Sequence, residues 1–301
     1  MSDTEGRREP VPPAGHRAGV VALVGPPNVG KSTLLNRLVG EKIAIVTAKP
    51  QTTRGRILGV LTRADAQVLL LDTPGLHEGR GALHESMRRA SEEALGDADL
   101  ALLLVDRTRG WEPLHGWARD RLAARGRPWL CVGTKADLDG AAPWPPPEAA
   151  GVPAFPISAR TGAGTGPLLD AVVARLPEGP PWHDAETLTD RPLRFLAAEL
   201  VREAAFELLH EEVPYAIGVE VEAFDESRPD LVRIRANLLV ERASQKRIVI
   251  GAGGERIRAI GTRARRAIEG LVGAQVHLEL WVKEDPRWTR RARRVEELGY
   301  R

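Results

Sequence analysis

Cysteine is almost absent from the 301 residues, and Cys131 is its single occurrence. One cysteine excludes an internal disulfide and any metal site built from cysteine ligands, and it favours the reducing cytoplasm. Long apolar runs are also missing. The run LALLLV at 100–105 is far shorter than the roughly 20 residues that a membrane span needs. We therefore predict a cytoplasmic protein with no membrane-spanning helix.

The N-terminal stretch MSDTEGRREPVPPAGHR has few apolar residues. It is charged and rich in proline, and it contains no apolar segment of the signal-peptide type. A segment of this composition buries too little apolar surface to offset the entropy of ordering it. We expect residues 1–17 to form a disordered tail.

The formal net charge is only +2, but basic residues cluster near the C-terminus. Eight of them lie between positions 242 and 266, against one acid, and five arginines lie between 287 and 294. Such clustering indicates a polyanionic partner for this part of the chain. Solvated helix faces would explain it about as well.

Residues 18–176 alternate short apolar runs with helical stretches. This order predicts an α/β domain with a mostly parallel sheet, helices on both faces and functional loops at the carboxyl ends of the strands. The predicted strands are VVALV (20–24), VLLLD (68–72), LALLLVD (100–106), WLCVGTK (129–135) and AFPIS (154–158).

The proline-flanked stretch 177–192 reads as a linker, and residues 193–301 as a second, α+β domain. Apolar residues alternate in IGVEVEAF, VRIRANLLV and QVHLELWVK, which predicts three half-buried strands. Helical stretches precede and separate them in the order α-β-β-α-α-β. We expect the second of these helices to break at Gly261, with Thr262 as the N-cap of the next.

The stretch GPPNVGKS at 25–32 follows a predicted strand and precedes a predicted helix, the context of the phosphate-binding GxxxxGK[ST] motif. Glycines at 25 and 30 allow the backbone to fold around phosphate oxygens, and the helix N-terminus adds positive potential. Lys31 is expected to reach the β- and γ-phosphates, and the Ser32 hydroxyl is expected to bind Mg²⁺.

Three further motifs follow later strands. In DTPG at 72–75, Asp72 would reach Mg²⁺ through water, and the Gly75 N–H would face a γ-phosphate. In TKAD at 134–137, the Asp137 carboxylate would accept hydrogen bonds from the N1–H and 2-amino group of guanine, which adenine cannot offer. The backbone of Ile157-Ser158-Ala159 would meet the guanine O6. Each motif is weak alone, but in this order they predict GTP rather than ATP.

The predicted nucleotide-binding set combines these loops. It consists of Gly25, Pro26, Pro27, Asn28, Val29, Gly30, Lys31, Ser32, Thr33, Asp72, Thr73, Pro74, Gly75, Leu76, Thr134, Lys135, Asp137, Ser158 and Ala159.

PPNVGKSTLLN, PQTTR, DTPGLH, TKAD and ISA together resemble the bacterial GTPases of the Era, EngA and TrmE group. The resemblance implies that the segment containing QTTR, at 51–54, is switch I, whose threonine binds Mg²⁺ only in the GTP state. We assign that role to Thr53, with Thr52 as the alternative. It also implies catalysis by Lys31, Asn28, Thr53 and Gly75, with GTP converted slowly to GDP and phosphate.

Two residues depart from a Ras-like site. Leu76 stands where a catalytic glutamine would orient the attacking water, and leucine cannot do so. The resemblance implies that K⁺, bound by Asn28, stabilises the developing charge instead. Thr134 replaces an asparagine whose amide contacts the base and braces the phosphate loop, and a hydroxyl makes fewer of those bonds. We expect Asp137 to maintain GTP specificity.

In the second domain, IVIGAGGERIRAIG resembles the signature of a type II KH domain, which binds single-stranded nucleic acid. Its GxxG loop is Gly251-Ala252-Gly253-Gly254, where the family often has a central lysine or arginine. Phosphate contacts should then depend on flanking basic residues. The predicted RNA-binding residues are this loop with Lys246, Arg247, Arg256 and Arg258.

The ending VHLELWVK, Trp288 and ELGY resembles the Era family, in which a GTPase domain is joined to a KH domain. The resemblance covers about 18–301 and implies binding to the 3′ end of 16S ribosomal RNA during assembly of the 30S subunit. We expect a monomer. Trp281 lies on the outward face of the last predicted strand, where stacking on a base and packing against the terminal helix are the alternatives, and we expect the packing. Two alternatives stay open: an RNA-binding module with a largely structural nucleotide site, and a GTPase peripherally bound to the inner face of the cell membrane.

Overall fold

The computed structural model describes residues 15–49, 52–75, 81–140 and 142–300. Most of the predicted tail, Leu76 and the first residue of the QTTR segment, Gln51, therefore lie outside the described residues. Within the described ranges, one sheet of six strands forms the first half of the chain and a sheet of three strands forms the second half. The predicted α/β domain followed by an α+β domain is confirmed.

The six-stranded sheet has the order β2-β3-β1-β4-β5-β6. All five predicted runs contribute strands to it. The additional strand, β2, pairs antiparallel with β3 at one edge, while the other pairs are parallel. The strands are β1 (Arg17–Val24), β2 (Ile57–Thr62), β3 (Ala66–Asp72), β4 (Leu100–Asp106), β5 (Trp129–Thr134) and β6 (Ala154–Pro156).

Helices cover both faces of this sheet, because alternate residues of its buried strands point to opposite sides. Val21 and Leu23 of β1 pack with α1 and α4, whereas Ala22 and Val24 pack with α2 and α3. The helices are α1 (Lys31–Val39), α2 (Ala82–Asp97), α3 (Pro113–Ala124) and α4 (Thr165–Val173).

The last residues of the predicted tail belong to the sheet. Arg17 begins β1, one residue before the predicted domain boundary, because its N–H donates to the Asp65 carbonyl and its Cα is paired with Ala66 of β3. His16 contacts the carbonyl of Gly179, at 2.8 Å. Pairing with the neighbouring strand thus outweighs the polar composition of this end of the tail.

The stretch 177–192 forms no helix or strand, but it is hydrogen-bonded to the first domain. The Pro177 carbonyl accepts from the Ala18 N–H, and the Leu188 carbonyl accepts from the Val60 N–H on the edge strand β2. The side chain of Gln67 donates to the His183 carbonyl at 2.8 Å. The connection therefore runs along the sheet and covers its edge.

In the described part of the second domain, β7 and β8 are antiparallel, and β8 and β9 are parallel. Helices α5 and α7 bury their apolar residues against one face of this sheet. The elements are α5 (Leu193–Leu208), β7 (Gly218–Arg228), β8 (Leu231–Val240), α6 (Ala243–Ile250), α7 (Glu255–Val272), β9 (Gln275–Glu284) and α8 (Ala292–Glu297).

The predicted helix break at Gly261 is wrong, since α7 continues through Gly261 and Thr262 to Val272. A glycine inside a helix costs about 1 kcal/mol relative to alanine. Ile260, Ala264 and Ile268 lie one turn apart on one face and are completely buried, and that packing offsets the cost. The helix break in this region is at the GxxG loop instead, between α6 and α7.

The predicted packing of Trp281 against the terminal helix is also wrong. Trp281 is 48% exposed on the face of β9, where its partner in register is Asn237. Trp288 fills the predicted place, because it is fully buried in one cluster with Val295 of α8 and Tyr300. Periodicity placed Trp281 on the outward face of the strand but could not show which tryptophan the helix covers.

The two domains share an apolar interface. Leu83 and Met87 of α2 join the cluster formed by Trp288, Val295 and Tyr300 of the second domain. No helix in the described ranges has both the length and the apolar character required to cross a membrane.

Candidate nucleotide site and nucleic-acid interface

The GPPNVGKS stretch is a loop between β1 and α1. Gly30 has φ of +103° at the helix N-terminus, a conformation that favours glycine. A Cβ added to Gly25 would lie 2.8 Å from the carbonyl oxygen of Leu104, so no larger residue fits there. The first N–H groups of α1 lie at this loop, and they are the donors that a helix leaves for an anion.

The ammonium group of Lys31 lies inside the loop. Its Nζ donates to the carbonyls of Gly25 and Pro26, each at 2.9 Å, and the residue is 6% exposed. Burial lowers the pKa of Lys31 to about 8, although the nearby Asp72 opposes this shift. The loop therefore holds a poorly solvated cation where the predicted phosphates would supply negative charge.

Three oxygen-bearing side chains converge beside Lys31. Ser32 Oγ lies 2.5 Å from Asp72 Oδ2 and 2.9 Å from Thr53 Oγ1, and Thr53 Oγ1 donates to Asp72 Oδ2 at 3.3 Å. Burial raises the pKa of Asp72, with Lys31 opposing. Asp72 Oδ1 is buried and has no hydrogen-bond partner within the described part of the chain. An all-oxygen set with a spare carboxylate oxygen suits Mg²⁺, a hard cation that keeps several of its waters.

The two candidate switch I threonines differ in what they contact. Thr53 reaches the oxygen set, whereas the Thr52 hydroxyl bonds to Thr47 and to the Lys49 carbonyl, away from it. Gly75, after β3, lies so close to the phosphate loop that an added Cβ would be 2.9 Å from the Pro27 backbone. The structure thus brings Thr53 and Gly75 to the two sides of the same site.

A single pocket joins the phosphate loop to switch I. The Asn28 amide lies at its rim and donates to the carbonyl of Ala48 at 2.8 Å. Of the predicted set, Val29 is buried beneath the pocket and Leu76 lies outside the described residues. Predicted residues that line the pocket are Pro27, Asn28, Gly30, Lys31, Ser32, Thr33, Thr53, Gly75 and Lys135.

The two loops predicted to bind the guanine base, TKAD and ISA, are connected to the phosphate loop by hydrogen bonds. Thr134 Oγ1, at the end of β5, donates to the Val29 carbonyl at 2.7 Å. Lys135 has φ of +57°, and its ammonium pairs with Asp106 at 2.6 Å. The next N–H, that of Ala136, donates to the Ile157 carbonyl at 3.0 Å, which joins the TKAD and ISA loops. These bonds hold both base loops at the same edge of the sheet.

Asp137 lies beside the ISA loop. Its carboxylate accepts from the Arg160 guanidinium at 2.7 Å. The Ser158 side chain and Arg160 lower the pKa of Asp137 by hydrogen bonding to it, so this group is an ionised acceptor at neutral pH. Arg160 follows directly after Ala159, and its contact with Asp137 was not predicted.

The GxxG loop projects between α6 and α7, with Ala252 and Gly253 exposed. Gly251 has φ of +73°, and an added Cβ would lie 2.8 Å from the Arg256 Cβ, so glycine is required there. The Arg258 guanidinium donates to the Gly253 carbonyl at 2.6 Å, and Arg256 donates to the Ile248 carbonyl at 2.9 Å. The predicted basic residues therefore flank the loop directly.

Sequence reasoning missed a buried arginine next to the predicted Mg²⁺ ligand. Arg54, 2% exposed, enters the second domain and donates to the carbonyls of Tyr215, at 2.8 Å, and Ile217. Arg202 of α5 donates in the other direction, to the Thr52 carbonyl at 2.6 Å. The only available signal was the position of an arginine directly after the switch threonine.

Two family models match the chain. The family described as "50S ribosome-binding GTPase" matches residues 20–135, and the family described as "KH domain" matches residues 212–289. The first match contains the phosphate loop and DTPG and ends within TKAD, and the second contains the GxxG loop.

The full-length relatives decide which GTPases these are. GTPase Era of Pseudomonas aeruginosa is 43% identical over 296 residues, which cover 96% of this chain and 96% of the relative. The chain belongs to the GTPase Era family. It is thus a GTP-hydrolysing enzyme, and the predicted combination of GTPase and KH domains is confirmed.

Solved Era structures have the same fold over nearly their whole length. An Era structure in complex with MgGDPNP and nucleotides 1506–1542 of 16S ribosomal RNA superposes with a TM-score of 0.87, at 38% identity, over 95% of this chain and 99% of that one. A variant of Aquifex aeolicus Era bound to GDP·AlF4⁻ superposes with a TM-score of 0.88, at 40% identity, over 94% of this chain and 99% of that one.

Proposed function

We propose that this chain is a GTP-dependent switch for assembly of the small ribosomal subunit. In this proposal the first domain binds Mg²⁺ with GTP or GDP and hydrolyses GTP, and the second binds single-stranded RNA at the 3′ end of 16S rRNA. The observation that carries it is a pair of connected sites. An oxygen set suited to Mg²⁺ lies beside the phosphate loop, and the ionised Asp137 belongs to the TKAD loop, which Thr134 ties to the phosphate loop. The Era relative bound to MgGDPNP and 16S rRNA supports both halves.

The predicted residues keep their roles in this proposal. Ser32, Thr53 and Asp72 would hold Mg²⁺, which supplies charge neutralisation at the β- and γ-phosphates. Lys31 and the first N–H groups of α1 would bind the phosphate oxygens, and Asp137 would bind the guanine. Leu76 stands in the sequence where a glutamine would orient the water, so we propose that Asn28 helps to hold K⁺.

In the second domain, the GxxG loop would let the RNA backbone approach closely, and the basic residues Lys246, Arg247, Arg256 and Arg258 would bind its phosphates. We propose a division of the chain into 18–176 and 193–301, with 177–192 as the connection. We also propose that the protein is a monomer that acts in the cytoplasm, where its rRNA partner is made.

GTP turnover, measured with and without a short single-stranded oligonucleotide of the 16S 3′-end sequence, tests this function. We expect slow turnover that the oligonucleotide accelerates, and no effect of a shuffled oligonucleotide. Tight RNA binding without turnover would favour an RNA-binding module with a structural nucleotide. Sedimentation with anionic vesicles, against neutral vesicles at the same salt concentration, tests the membrane-bound alternative.

A further inference from the structure

Switch I is attached to the second domain on both sides of Thr53. The carbonyl of the preceding residue, Thr52, accepts from Arg202 of α5 at 2.6 Å. The side chain of the following residue, Arg54, donates to the carbonyls of Tyr215 and Ile217. Consecutive Cα atoms are only about 3.8 Å apart. Two anchored neighbours therefore leave Thr53 little freedom to move away from Ser32 and Asp72.

Arg54 occupies an aromatic cage, formed by Phe206, Trp288 and Tyr300. Its guanidinium carbon lies 5.6, 5.5 and 5.6 Å from the three ring centroids, within the range of cation–π attraction. All three rings belong to the second domain. The cage and the two carbonyl acceptors together fit a planar guanidinium with several N–H donors, which a lysine ammonium does not reproduce.

The electrostatics of the cage make this docking specific. Burial, and to a smaller extent the positive charge of the neighbouring Arg202, lowers the pKa of Arg54 to about 10. The carboxylate of Glu199 is hydrogen-bonded to Arg202 and, at 3.3 Å, to the Tyr300 hydroxyl. A buried cation beside another cation is stable only with all of its acceptors in place. Arg54 therefore depends on an intact contact between the domains.

We propose that Arg54 is a positioning residue: docked in the aromatic cage, it holds Thr53 at the Mg²⁺ site, so that GTP binding depends on contact between the two domains. This inference rests on the proposed function. By thermodynamic linkage, Mg²⁺·GTP, which uses Thr53, stabilises the docking of Arg54 to the same extent that the docking strengthens its binding. GDP has no γ-phosphate and does not need Thr53 at the metal.

The test compares affinities for Mg²⁺·GDPNP and Mg²⁺·GDP in the full-length protein. Arg54→Ala should weaken GDPNP binding by about 5- to 150-fold and change GDP binding by no more than about twofold. Arg54→Lys should recover only part of the loss. Arg56→Ala is the matched control, because Arg56 is two residues away and pairs with Asp97 on the surface at 3.5 Å; it should leave both affinities unchanged.

Tyr300→Leu keeps an apolar side chain but removes one ring of the cage. If thermal melting shows that Arg54→Ala does not fold, this second variant tests the role of Arg54. It should weaken GDPNP binding selectively, by a smaller factor. Equal losses for the two nucleotides, or no loss, would overturn the inference while the proposed function stands. Failure of the unmodified protein to bind either nucleotide would overturn both.

Discussion

The hydroxyl of Thr134 donates to the carbonyl of Val29 at 2.7 Å. This bond ties the base side of the site to the phosphate loop, as the asparagine usual in this position would. A hydroxyl has one proton, and Thr134 uses it on Val29, so it has none left to donate to a base. We therefore propose that recognition of guanine depends on Asp137.

Asp137→Asn should shift the preference of the protein from GTP to xanthosine triphosphate. The amide cannot accept from both guanine donors, but it can donate to the carbonyl that xanthine carries instead. Loss of a charged acceptor should weaken GTP binding by about 10- to 100-fold, measured by competition at equilibrium. Asp139→Asn, two residues away and exposed, should keep the GTP preference. An unchanged preference in Asp137→Asn would mean that the base binds elsewhere.

Asn28 should make GTP hydrolysis dependent on K⁺. Its amide already faces switch I through the Ala48 carbonyl, so K⁺ ligands from both segments are close together. Turnover should be at least about tenfold faster in K⁺ than in Na⁺. This is a small part of the 10³- to 10⁵-fold increase in kcat that an arginine finger supplies in other GTPases. Asn28→Ala should lose the difference, and Asn28→Asp, which keeps an oxygen, should retain it. Equal rates in both salts for all three proteins would exclude the role.

Lys31 should make the stability of the nucleotide-free protein rise with pH. Its pKa is about 8 when folded and 10.5 as the ordinary value. Between these values the unfolded chain holds a proton that the folded protein has released, so the free energy of unfolding increases with pH. We expect a gain of about 2 kcal/mol from pH 7.5 to 10 in urea titrations, relative to Lys31→Met. Lys283→Met, on the exposed face of β9, should behave as wild type. If the free energy of unfolding changed equally with pH in the wild type and both variants, the lowered pKa of Lys31 would be contradicted.

RNA binding should weaken steeply with salt, because each neutralised phosphate releases counterions. Arg258→Ala should lower the slope of log K against log salt by about 0.7, the value for one contact with a single strand. Arg228, in a surface pair with Asp230, is the matched control and should leave the slope unchanged. Fluorescence anisotropy at several salt concentrations measures this, and a slope that is flat for every protein would rule out phosphate contacts.

The strands and the motif positions were predictable because both depend on local patterns. Runs such as LALLLVD are long enough to identify a buried strand, and the parallel topology then brings their carboxyl ends to one edge. The antiparallel edge strand β2 was missed, although ILGVLT is a fair strand pattern, because no motif follows it. Gly261 led to a wrongly predicted helix end. The free-energy cost of a glycine inside a helix is smaller than the stabilisation from burying Ile260 and Ala264.

Contacts between the domains were not predictable from a single sequence. Arg54 and Tyr300 are 246 residues apart, and no periodicity connects an arginine in a loop with a tyrosine near the chain end. Charged residues are usually exposed, so the sequence favours a surface position for Arg54 and for Arg202. Only the fold shows that three aromatic rings surround this guanidinium.

We propose above all that the nucleotide site and the RNA-binding domain act as one switch. The most direct test is the affinity of a single-stranded 16S 3′-end oligonucleotide for the protein with Mg²⁺·GDPNP and with Mg²⁺·GDP, at one salt concentration. We expect binding about 5- to 150-fold tighter with GDPNP. The same RNA affinity in both nucleotide states would contradict it.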